Sequence, residues 1–211
     1  MRRRRRAWRS TRVTVSIVAG AAALGLLLML VTPAQASRAR GGYCKPRKLT
    51  PEIISLARKW AAVRGLPTKW VVATILAESG GNPTCVGDYH VLPEGASIGL
   101  MQVNTGPKAH GPALAAAGVS RAMLFEPDVN IEWGTKILRG AYDTVRRALE
   151  KHPSKVPVER LLRLQYRGVQ ASSAVEQGHD PSLFIDKITG KPYLASFPAW
   201  DANLVQASAL V

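Results

Sequence analysis

The sequence lacks most of the patterns on which catalytic and binding chemistry is usually built. Its 211 residues include only two cysteines and four histidines. His90, His110, His152 and His179 have none of the spacings of metal ligands, so no metal centre is expected. Neither cysteine belongs to a zinc-finger or thiol-protease pattern. The serine in "AESGG", Ser79, has no neighbouring base and no nucleophile elbow around it. No aromatic–basic RNA motif is present, so nucleic acid is not an expected partner. Beyond the first 36 residues there is no internal repeat or low-complexity segment, which argues against a solenoid. No cofactor is called for by any of these patterns.

Acidic residues are also missing from the start of the chain. "MRRRRRAWRSTR" is a purely basic head, "VTVSIVAGAAALGLLLMLV" is a long apolar run, and "PAQA" places small residues at Ala34 and Ala36. This is the order of a secretory signal peptide, 1–36, cleaved after Ala36. The apolar run is long for a signal, so an uncleaved N-terminal anchor is the alternative, and the only membrane contact the sequence suggests. The arginines precede an export segment directly and read as its basic head rather than as a nucleic-acid patch. The expected location is therefore the periplasm, the cell envelope or the extracellular space.

The leader holds seven of the 29 basic residues and no acid, leaving 22 basic against 14 acidic side chains in the remainder. That surplus of about eight suits a protein working on an anionic polymer such as a cell wall. The residues after the leader suffice for one domain with a real core. Outside the cytoplasm two lone cysteines are often bridged, and Cys44–Cys85 is the available pair; two separate buried thiols are the alternative.

Residues 37–49 read as a basic arm, and 50–211 as the folded domain. Thr50-Pro51-Glu52 has the form of a helix start, with an N-cap threonine, a first-position proline and a first-turn acid. Ile53, Leu56, Ala57, Trp60 and Ala61 then recur at helical spacing up to Gly65, a stripe read as core packing. A second helix, opened by Pro67 and Thr68, is apolar nearly all round and should be buried. Residues 80–97 read as a long loop with room for a short hairpin. A long amphipathic helix is predicted from Pro127, and another over "VPVERLLRLQYRG". Pro181, Pro192 and Pro198 are expected to break the tail.

The second helix ends "ILAESGGNP", so its last turn carries a single acid, Glu78. The carbonyl end of a helix disfavours a carboxylate, and so does apolar burial. Both effects favour the protonated form, the property a general acid needs to protonate a glycosidic oxygen.

"LPTKWVVATILAESGGNP", "SIGLMQVN" and "EPDVNIEWGTKIL" together resemble the catalytic domain of soluble lytic transglycosylases of the goose-lysozyme-like kind. The resemblance covers about residues 50–170. It implies a lysozyme-like, mainly α, α+β domain that cuts the glycan strands of bacterial peptidoglycan and acts as a monomer. By this resemblance Glu78 matches the catalytic acid/base, and Ser79 the serine that orients the acid or contacts substrate. Gly99, Leu100, Met101 and Gln102 match the motif whose glutamine lines the sugar groove, with Met101 packing beneath it. Asn130 and Gly134 match a largely structural motif. Tyr166 in "LQYRGV" matches the tyrosine that approaches the acid, but Arg167 stands where the family commonly has asparagine.

The resemblance further implies that one carboxylate serves twice, closing a 1,6-anhydro ring without water or metal. If Asp88 or Glu94 faced Glu78 at roughly 6.5–9.5 Å, a water could be activated instead, giving a hydrolytic muramidase. A non-catalytic glycan-binding module on the same fold is the remaining alternative, although such a module would not require Glu78.

Overall fold

A computed structural model describes residues 44–87, 95–185 and 190–211. The leader, most of the basic arm, Asp88, His90 and Glu94 lie outside the described residues. The fold is α+β and mainly α. Among the described residues seven α-helices run α1 (Pro51–Arg64), α2 (Thr68–Ser79), α3 (Gly111–Ala116), α4 (Pro127–Lys151), α5 (Val158–Tyr166), α6 (Ala171–Glu176) and α7 (Phe197–Leu210). Three two-residue strands, β1 (Val86–Gly87), β2 (Ser97–Ile98) and β3 (Val103–Asn104), form an antiparallel sheet in the order β1-β2-β3. Val86 pairs with Ile98, and Ile98 with Val103. Among the described residues, no helix is long and apolar enough to cross a membrane.

The local signals act where the sequence places them. Thr50 Oγ1 accepts a hydrogen bond from the Ile53 amide at 3.3 Å and caps α1. Gly65 ends that helix in the left-handed region, φ 60°, which a residue without a Cβ enters freely. α2 buries Trp70, Val71, Val72, Ala73, Thr74 and Ile75, so its nearly continuous apolar surface is used on several sides. Around it Ile53, Ala57 and Ala61 of α1, Leu100 and Met101, Ile131 and Leu138 of α4, Leu162 of α5, and Trp200 and Ala207 of α7 form one core. A second cluster joins α4, α5, α6 and Phe197; a third sits between the sheet and α4.

Trp60 packs against the core as expected, partly buried, and its indole N–H also donates to Asp128 at 2.6 Å. Two sequence expectations need correction. The tail does not break at Pro198. That proline lies in the first turn of α7, where its missing N–H would have had no helical partner anyway, and α7 packs along α2. Residues 44–49, the end of the supposed arm, are part of the domain. They cross the C-terminal end of α2, where the Arg47 amide donates to the Gly80 carbonyl at 2.9 Å and Asn82 Nδ2 to the Lys45 carbonyl at 3.1 Å. The crossing is close. A Cβ on Gly81 (φ 82°) would lie 2.6 Å from the Arg47 carbonyl oxygen. A disulfide between Cys44 and Cys85, 41 residues apart, closes this segment over the end of α2. By the chain-entropy account such a loop stabilises by about 4 kcal/mol.

Candidate active site

Glu78 is the penultimate residue of α2. Its side chain is only 2 % exposed, so the carboxyl group is held away from bulk solvent. It is not isolated: Arg163 Nη1 on α5 donates to Glu78 Oε1 in a direct ion pair, with the arginine side chain 10 % exposed. The guanidinium lies 5.4 Å from the centroid of the Trp200 ring on α7. Three helices distant in sequence thus meet at one carboxylate. Burial and the helix end favour the neutral acid, whereas a guanidinium in contact favours the carboxylate. Arginine keeps its charge throughout the ordinary pH range. The sequence reading contained the first two effects and missed the third. The signal was present: Arg163 is one helical turn before Tyr166 and sits between Leu162 and Leu164, in a segment whose neighbours are buried.

Ser79 is fully buried and committed to the backbone. Its hydroxyl donates to the Ile75 carbonyl at 3.1 Å and accepts from the Gly81 amide at 3.2 Å. These bonds shape the helix end that presents Glu78.

The stretch Gly99–Gln102 turns the chain from β2 to β3. Gly99 has φ 77°, and Gln102 has φ 51°, a left-handed conformation that a non-glycine residue adopts only when held there. The Gln102 side chain supplies the hold, donating through Nε2 to the Gly99 carbonyl at 2.9 Å and the Cys85 carbonyl at 3.2 Å. The Cys85 carbonyl also accepts from the Gly99 amide at 2.8 Å, so the disulfide-bonded residue anchors the turn. Leu100 and Met101 are buried beneath it.

From α4, Asn130 clamps the same turn. Its Oδ1 accepts from the Met101 amide at 2.8 Å, and its Nδ2 donates to the carbonyls of Ile98 and Leu124, each at 2.8 Å. The fit leaves no room for a side chain at position 99, where a Cβ would lie 2.1 Å from Asn130 Nδ2. One turn further along α4, a Cβ on Gly134 would meet Met101 Sδ at 2.4 Å. Tyr166 closes the other side: its hydroxyl donates to the Met101 carbonyl at 2.7 Å. α5 therefore reaches Glu78 through Arg163 and the turn through Tyr166, two residues one helical turn apart on one face. Arg167, next in sequence, stacks over Tyr193 at 5.3 Å.

No cluster of potential metal ligands occurs among the described residues. His110 is partly buried, and burial moves its imidazole below the ordinary value, toward the neutral form.

No curated protein matches the chain. Residues 55–154 match the family model described as the transglycosylase SLT domain. That stretch contains Glu78, Ser79, Gly99–Gln102 and Asn130; Arg163, Tyr166 and Trp200 follow it. Residues 55–154 are thus similar to a transglycosylase SLT domain, a likeness that points to glycan-cleaving activity on peptidoglycan.

Proposed function

We propose that this protein is an exported lytic transglycosylase in which Glu78 is the acid/base. The observation that carries the reading is the buried Glu78 carboxyl at the end of α2, within the family-matched segment. Protonated Glu78 gives its proton to the glycosidic oxygen between N-acetylmuramic acid and N-acetylglucosamine, and the C1–O bond breaks. The carboxylate left behind takes the proton of the muramoyl 6-hydroxyl. That oxygen attacks C1 and closes a 1,6-anhydro ring, so Glu78 ends protonated and no water is consumed.

The turn Gly99–Gln102 forms part of the sugar groove, with Gln102 and neighbouring backbone groups holding acetamido groups. Tyr166 acts through the Met101 carbonyl, fixing the turn relative to α5. The segment 1–36 directs export to the cell envelope, and the basic surplus of the remaining chain suits an anionic wall.

The test is digestion of peptidoglycan with the purified protein, followed by mass analysis of the muropeptides. Anhydro ends are expected. Reducing ends would assign a hydrolytic muramidase, and unchanged glycan a binding module.

A further inference from the structure

We propose that Arg163 is a latch on Glu78: it holds the side chain as a closed carboxylate in the resting protein and must leave before the first proton transfer. This rests on the reading of Glu78 as the acid. It adds a positioning residue that lies beyond the family-matched segment.

The geometry points to this role in three ways. First, Arg163 donates to Glu78 Oε1 directly, and a guanidinium in contact favours the carboxylate over the protonated acid that the glycosidic oxygen needs. Second, Glu78 is 2 % exposed and Arg163 10 %, so a glycan cannot reach the carboxyl group while both side chains stay where they are. Third, the guanidinium also lies over the Trp200 ring, 5.4 Å from its centroid. Indole and guanidinium N–H groups both only donate, so Trp200 offers Arg163 a ring face and no hydrogen bond. Stacking on a ring tolerates sliding in a way that a bidentate hydrogen bond does not.

Other charges around this helix end do not replace Arg163. On α5, Arg160 is paired with Asp201 of α7 at 2.5 Å, and Arg167 lies over Tyr193. On α1, Lys59 pairs with Asp128 and Arg64 approaches Glu132, while Arg58 donates to the carbonyls of Leu210 and Val211 at the end of α7. Glu52 of α1, Lys69 of α2, and Lys45, Arg47 and Lys48 of the crossing segment are solvent-exposed. The turn Gly99–Gln102 carries no ionisable side chain. When Arg163 moves away, Glu78 loses the guanidinium that favours its carboxylate, while burial and the helix C-terminus still favour the protonated form.

The experiment compares kcat/KM against pH on solubilised peptidoglycan for the wild type, Arg163→Met and Arg163→Lys. Methionine keeps an unbranched apolar chain against Trp200 and removes the charge; lysine keeps the charge. The limb that reports the protonated acid in the free enzyme is expected to move up by about one pH unit or more in Arg163→Met, because a neighbouring opposite charge typically shifts a carboxylate by that much. Activity at pH 7 then rises severalfold, while Arg163→Lys keeps the wild-type limb. A folded Arg163→Met with an unmoved limb, or with activity lost at every pH, overturns the latch. Should Arg163→Met not fold, carbon-13 NMR of wild-type carboxyl groups decides, with Glu78→Gln assigning the resonance. An ionised Glu78 across pH 5–8 without glycan is expected; a protonated one at pH 7 overturns the proposal. An inactive wild type would instead refute the acid/base function, leaving the NMR result to judge Arg163 alone.

Discussion

At the turn between β2 and β3 the holding groups are neutral: the carboxamides of Asn130 and Gln102, the Tyr166 hydroxyl and backbone amides. At Glu78 the holding group is a full charge brought in from 85 residues away. Neutral hydrogen bonds to backbone are indifferent to pH and to small motions of the chain around them. A buried ion pair is neither. It depends on both partners staying ionised, and removing one leaves the other uncompensated. The protein has thus made the turn between β2 and β3 stiff and its carboxylate conditional.

Substitutions on the two sides should separate these behaviours. The largest effect is expected from Glu78→Gln. Removal of the general acid should lower the lytic rate by about 10²- to 10⁴-fold. The amide oxygen can still accept from Arg163, so circular dichroism should show a folded domain; a variant keeping most of its activity would remove Glu78 from the mechanism. Next comes Asn130→Ala on the neutral side. It strands the buried Met101 amide and removes the donor to Ile98 and Leu124, a loss of about 3 kcal/mol or more by denaturant unfolding. An unchanged unfolding midpoint would show that the turn does not depend on this clamp. Tyr166→Phe removes the bond to the Met101 carbonyl and should cost about 1 kcal/mol while leaving the pH profile in place. A shifted profile would place the hydroxyl on Glu78's proton rather than on the turn.

The smallest effect concerns His110, which lies in neither region. Burial lowers its folded-state value from 6.5, so the unfolded chain binds a proton first as pH falls. Stability is therefore complete above about pH 6.5 and declines below it as the unfolded state gains protons. His110→Asn should flatten that shallow decline in melting temperature between pH 7 and 5, with no change in the sites around Glu78 and Gln102.

Much of this arrangement was legible in the residues. Thr50, Pro51 and Gly65 bound α1 because capping and left-handed termination are local chemistry. The long helix from Pro127 and the burial of α2 follow from apolar spacing. Asn130 and Gly134 were readable as structural because their motif resemblance assigned them that part, and their contacts with Met101 and the turn supply the physical reason. α7 was hidden because Pro198 was weighed as a breaker without its position in the helix. Position decides the sign of a proline's effect: it disrupts an interior and suits a first turn. Arg163 was hidden for a different reason. Its place one turn before Tyr166 among buried leucines marks it as inward-facing, but nothing in the local sequence says which carboxylate on another helix it meets.

The sequence by itself determined where α1, α2 and α4 begin, and that one acid closes the buried helix. Caps, hydrophobic periodicity and glycine positions act within a few residues, so they can be read from neighbours alone. Only the tertiary structure decided which charge that acid meets, because the Arg163–Glu78 contact exists only once α5 and α7 have packed beside α2. Electrostatic energy depends on distance in space and on the exclusion of water, and neither quantity is defined until the chain has folded.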